Sequence, residues 1–136
     1  MKPPPEPAAW VSAGLYLTYW CNSRCAFCYV HGGPDRGGDM SVQTAVRLWR
    51  ELEELARQHG ARVKMHLAGG DPFRDWTRLV ALLRLARDAG LSPVEKIETN
   101  AGWATDDGLT RARLELLNGL GLERLIVSCD VFHQEF

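Results

Sequence analysis

Two hydrophobic rhythms alternate along this chain, and that alternation limits the folds open to it. Ala13-Gly-Leu-Tyr-Leu-Thr-Tyr19 and Arg62-Val-Lys-Met-His-Leu67 alternate with a period of two and read as strands. A third strand lies within Pro93 to Thr99, and Leu125-Ile-Val-Ser-Cys129 is a short apolar fourth. The stretches between them carry the helical period. Ser41 caps a helix running to about His59, with Gly60 in the position after its end. Val42, Ala45, Val46, Trp49, Leu52 and Leu55 form its apolar face. A second helix covers about Asp75 to Ala89, with Trp76, Leu79, Val80, Leu83 and Ala86 as its stripe and Gly90 as its stop. Thr105 caps a third helix that ends near Gly119, with Asp106 and Asp107 beside its positive end.

The order β-α-β-α-β-α-β predicts an α/β fold with a parallel sheet and right-handed crossovers. In such sheets ligands gather at the carboxyl ends of the strands. The chemically unusual segments all follow strand ends: Cys21 to Cys28 after the first, Gly69 to Pro72 after the second, Thr99 and Asn100 after the third, and Ser128 to Asp130 at the fourth.

The chain of 136 residues is long enough for one domain with one core. Residues 1–12 read as a flexible leader, because prolines at positions 3, 4, 5 and 7 cannot donate to a ladder. Residues 13–136 form the domain. Sixteen basic and 17 acidic residues give a net charge of −1, with no basic excess to attract nucleic acid. No apolar run approaches the roughly 20 residues that span a bilayer, and no secretory segment is present, so the expected compartment is cytoplasmic.

Three of the four cysteines fall within eight positions, in Cys21-Asn-Ser-Arg-Cys25-Ala-Phe-Cys28. Clustered cysteines in a cytosolic chain point to metal or redox chemistry rather than to disulfides. Thiolates suit zinc and iron–sulfur clusters. A closed zinc site wants four ligands, and only His31 or Cys129 could add a fourth here. Three ligands on a four-iron cube would instead leave one iron open. Iron–sulfur, zinc and unligated thiols all remain open on spacing alone.

Cys-x3-Cys-x2-Cys after a first strand, with an aromatic before the last cysteine, resembles the motif of the radical S-adenosylmethionine superfamily. Gly69-Gly70-Asp71-Pro72 is similar to the family's Gly-Gly-Glu-Pro turn, with Asp in place of Glu. Glu98-Thr-Asn100 with Gly102, and Ser128-Cys-Asp130-Val-Phe-His133, resemble its third- and fourth-strand segments. The likeness covers Leu15 to Phe136.

The resemblance implies a partial barrel related to the eightfold one, here cut short after the fourth strand. The chain would then need a partner chain or the missing C-terminal half. It implies a [4Fe–4S] cluster on Cys21, Cys25 and Cys28, with S-adenosylmethionine chelating the fourth iron. Phe27 would lie near the adenine. Gly69, Gly70 and Asp71 would receive the methionine ammonium. Ser128 would lie near its carboxylate, Asp130 near the ribose, and Asn100 on the same rim. It also implies an electron donor such as flavodoxin or ferredoxin, and a substrate that the motifs leave undefined, with a peptide as one class. His133 is a candidate acid or base. His31 and Arg24 read equally well as solvated side chains, Cys129 as a small core residue, and Trp20 and Trp103 as cavity walls. An inert cluster-binding fragment and a structural zinc protein are the rival readings.

Overall fold

The structure, a computed structural model, describes residues 9–131 and residue 133. Four strands, β1 (Ala9–Tyr16), β2 (Ala61–Ala68), β3 (Val94–Thr99) and β4 (Arg124–Val127), alternate with three helices, α1 (Val42–Gln58), α2 (Trp76–Asp88) and α3 (Asp107–Gly119). All pairings are parallel, in the order β1-β2-β3-β4. The α/β class and parallel repeats are therefore as expected, and an open four-stranded sheet is consistent with part of a barrel.

Along β2, Val63, Met65 and Leu67 are buried while Arg62, Lys64 and His66 alternate with them on the other face. The buried set shares one core with Ala45 and Trp49 of α1, Leu79, Leu82 and Leu83 of α2, Val94 and Ile97 of β3, and Leu117 of α3. The other face carries charge. Lys64 lies 3.9 Å from Glu95, His66 lies 3.2 Å from Glu98, and Arg124 also pairs with Glu95. The β2–β3 pairing carries a register shift between Met65 and His66.

The helix ends follow capping chemistry. Ser41 accepts from Thr44 N at 3.1 Å, and Gly60 sits at φ +66 after His59, as the sequence predicts. For α3 the cap is Asp106, not Thr105: its carboxylate accepts from Leu109 N at 2.8 Å, and an anion at a helix start is favoured doubly. On α1, Leu55 is 54% exposed and Ala56 is buried in its place. A step of four from Leu52 keeps to the inner face, and a step of three leaves it.

The first strand begins at Ala9, not Ala13, so Ala9 to Ser12 belong to the sheet and not to a leader. Residues 1–8 lie outside the described residues. The strand also ends at Tyr16, not Tyr19. Leu17 N still donates to Ala68 O at 2.9 Å, but the next residues are claimed by the returning arm of the cysteine loop. Met40 N donates to Leu17 O and Tyr19 N to Gly38 O, and Trp20 bridges to Gly33. The fourth strand stops at Val127, two residues short of Cys129, and Cys129 is exposed rather than in the core. It lies beyond the paired part of an edge strand, where nothing in the sheet covers it.

Candidate metal centre and its rim

The cysteine loop is a closed excursion from the end of β1. Cys21 N donates to Gly33 O and Gly33 N to Tyr19 O, both at 3.2 Å, which ties its two arms together. Within it, Cys28 N donates to Cys25 O and His31 N to Cys28 O, each at 3.1 Å, making two successive tight turns. His31 takes a left-handed φ of 53 to close the second. At Gly32 a Cβ would stand 3.2 Å from Gly70 Cα and from Tyr19 O, so the loop is pressed against the glycine turn that follows β2.

Backbone donors point at the sulfurs. Gly32 N lies 3.3 Å from Cys28 Sγ, and Ser23 N lies 3.5 Å from Cys21 Sγ. Such donors suit a thiolate better than a thiol, because they compensate negative charge. Burial pushes the Cys21 thiol above its ordinary range, against the pull of the Ser23 N–H; Asp71, Cys25 and Cys28 add to the rise. A metal reverses that balance by taking the proton's place. Cys25 and Cys28 also line an open recess of about 190 Å³, with the Arg24–Asp35 pair (3.0 Å) on its wall.

Among the described residues, no three His, Cys, Asp or Glu side chains stand close enough to hold a single ion. The zinc alternative with His31 or Cys129 therefore has no preformed site there. A cube spreads its thiolates over separate irons, so its ligands need not meet at one point. The three thiols, with amide donors on two of them, fit such a group.

The turn after β2 is built for backbone contact. Gly69 sits at φ +144, and a Cβ there would overlap the Thr18 carbonyl; a Cβ on Gly70 would overlap the carbonyl of Trp20. Gly70 N donates to Thr18 O at 2.7 Å and Asp71 N to Trp20 O at 2.8 Å. These glycines let the turn lie against the chain leading into Cys21, a reason for them that the sequence did not disclose.

Asp71 is buried, and its carboxylate is turned toward β3. It accepts from Phe73 N at 3.0 Å, from Asn100 N at 3.0 Å, and from Thr99 Oγ1 at 2.8 and 3.0 Å. Burial raises its pKa, and those three donors oppose the rise. Asn100 reaches back from the end of β3 to the cysteine loop. Its Nδ2 lies 2.8 Å from Asn22 Oδ1, 2.9 Å from Ser23 Oγ and 3.6 Å from Cys21 Sγ.

Ser128 extends the β3–β4 pairing by one bond, its N–H donating to Thr99 O at 2.9 Å. That sets it beside Asn100 on the rim. Asp130 holds His133 through Nδ1 at 2.6 Å and through the backbone N–H at 3.2 Å. Phe27 is 74% exposed on the loop. Trp103 stacks on Phe73 with ring centres 4.4 Å apart and donates to Thr99 Oγ1 at 3.1 Å, and Trp20 lies against Arg74.

Two features escaped the sequence. Thr99 links Asp71, Trp103 and the Ala101 N–H, yet a threonine at a strand end carries no signal of that. Tyr29, directly after Cys28, meets Tyr16 edge to face at 6.3 Å. An aromatic beside the last cysteine was the only hint.

Comparison with known proteins shows the family. Residues 15–136 match the family model described as the Radical SAM superfamily. A probable GTP 3′,8-cyclase of Methanocella arvoryzae is 28% identical over 121 residues, covering 88% of this chain and 34% of its own length. The PqqA peptide cyclase of Ruegeria pomeroyi is 32% identical over 116 residues, covering 82% of this chain and 27% of its own length. The chain thus spans about a third or less of these curated relatives.

Proposed function

The chain belongs to the Radical SAM superfamily, and from that premise we propose that it holds a [4Fe–4S] cluster on Cys21, Cys25 and Cys28 and binds S-adenosylmethionine beside it. When bound and reduced, these groups supply a carbon–sulfur cleavage that gives methionine and a 5′-deoxyadenosyl radical able to take a hydrogen atom from a substrate. The observation that carries the reading is the pair of amide donors on the Cys21 and Cys28 sulfurs, at the carboxyl-terminal rim of a parallel sheet.

The residues divide the work. The three cysteines hold the cluster, and Gly32 and Ser23 donate to the bound sulfurs. The Gly69–Gly70 backbone receives the methionine ammonium, since carbonyl oxygens attract a cation. Asp71 contributes its negative charge from behind the turn, with its oxygens kept on Phe73, Thr99 and Asn100. Ser128 takes the methionine carboxylate, Asp130 a ribose hydroxyl, and Phe27 covers the adenine and excludes water. His133, held by Asp130, is the candidate proton carrier.

The electron donor is a flavodoxin or ferredoxin in this reading, and the site lies in the reducing cytoplasm, where thiols stay free. Among the described residues no helix is long and apolar enough to cross a membrane. The two relatives' names offer a nucleotide and a peptide as first substrate classes, and a peptide is the one we put first.

Anaerobic reconstitution followed by reduction tests the reading. Added S-adenosylmethionine is expected to change the cluster's spectrum and to yield 5′-deoxyadenosine. A cluster whose spectrum ignores S-adenosylmethionine would reduce the chain to an inert cluster-binding module.

A further inference from the structure

Asn100 sits where three motifs meet. Its backbone N–H is fixed by the buried Asp71 carboxylate at 3.0 Å. Its side-chain oxygen accepts from Gly102 N at 2.9 Å, which sets which end of the amide faces the cysteine loop. The NH2 end therefore points into the loop, toward Asn22 Oδ1, Ser23 Oγ and Cys21 Sγ. These contacts bridge 77 to 79 residues of sequence and tie the loop to the end of β3.

An amide has two hydrogens, and three acceptors stand within reach of this one. With a neutral Cys21 thiol, the two oxygens at 2.8 and 2.9 Å take the better bonds. A metal-bound thiolate is a stronger acceptor than a thiol, so the third contact strengthens when the cluster is in place. The Ser23 backbone N–H already donates to the same sulfur at 3.5 Å. Cys21 thus has a side-chain donor at its sulfur, and that donor is held from both ends.

We propose that Asn100 is a positioning residue for the cluster, acting through Cys21: it fixes the first turn of the cysteine loop and, by donating to the sulfur, raises the cluster's reduction potential. The sign follows from charge. Reduction adds an electron, the sulfurs become more negative, and an N–H aimed at one of them stabilises the reduced form more than the oxidised one. The inference rests on the cluster reading above and adds a residue that sets how readily the electron arrives.

The test uses the full chain, reconstituted anaerobically and titrated potentiometrically with spin-resonance detection, without S-adenosylmethionine. Asn100→Leu keeps the volume and removes the donor. Asn100→Asp keeps the shape and the bond from Gly102, and puts an oxygen where the donor was. Both are expected to lower the midpoint, with Asn100→Leu reducing the reduced-to-oxidised ratio about tenfold at fixed potential, about 59 mV for one electron. Loss of iron uptake by a variant that melts like wild type also supports the role, since the loop it holds would have lost its shape. An unchanged midpoint at full iron content in either variant overturns the inference. Wild type that takes up no iron overturns the cluster reading instead, so the two failures are distinct.

Discussion

Thr99 Oγ1 lies 3.0 and 2.8 Å from the two carboxylate oxygens of Asp71, across 28 residues of sequence and out of contact with water. The same hydroxyl accepts from Trp103 Nε1 and from Ala101 N. One small side chain thereby joins the turn after β2, the end of β3 and the aromatic stack. Thr99→Val keeps the shape and removes the hydroxyl, leaving the carboxylate and the indole short of partners. The expected cost is about 2 kcal/mol, read as a lower urea midpoint at unchanged slope. A midpoint equal to wild type would mean that Asp71 finds equivalent donors elsewhere.

Gly70→Ala drives a methyl group into the Trp20 carbonyl. Both partners are backbone, so neither yields cheaply, and the loss is expected at the large end for one substitution, about 4 kcal/mol. Gly37→Ala is the control, since a Cβ there meets nothing within 4 Å. Thermal melting of the two variants should differ widely, and matching melting temperatures would show that the turn can move away from Trp20.

Acid should weaken the fold through His66. Burial holds its pKa below the ordinary range, Lys96 pushes the same way, and Glu98 and Glu95 oppose them. The unfolded chain takes up this proton near pH 6.5 and the folded chain only at lower pH. Stability from this residue is therefore complete above about pH 6.5 and lost as pH falls through the folded pKa. Asp71 works in the opposite sense, because its raised pKa makes the folded chain the better proton acceptor. Denaturation across pH 5 to 7 should show a falling limb in wild type that His66→Gln flattens. A limb that survives the substitution would assign the effect to another group.

Much of this architecture was legible beforehand. The α1 ends could be read from Ser41 and Gly60, because a cap and a positive-φ glycine are local chemistry. The core face of β2 could be read from Val63, Met65 and Leu67, because pleating alternates strictly. The ends of β1 could not. Whether Leu17 to Tyr19 stay in the sheet depends on Gly33, Gly38 and Met40 returning to pair with them, a tertiary competition. Cys129 read as a core residue because Leu-Ile-Val precedes it, yet β4 is an edge and stops first.

At the site, the cysteines stood out through their spacing, while the partners of Asp71 did not. Gly-Asp-Pro reads the same whether its carboxylate faces outward or is buried under Thr99 and Asn100. Asn100 was visible as a rim residue, but its reach to Asn22, Ser23 and Cys21 spans long sequence distances that no local pattern encodes.

Iron and acid-labile sulfide per chain, measured after anaerobic reconstitution of wild type and of the Cys21→Ala, Cys25→Ala, Cys28→Ala triple variant, decide the main question most directly. About four of each in wild type and close to none in the variant is the expected result. Equal content in the two proteins, or zinc without sulfide in wild type, would contradict it.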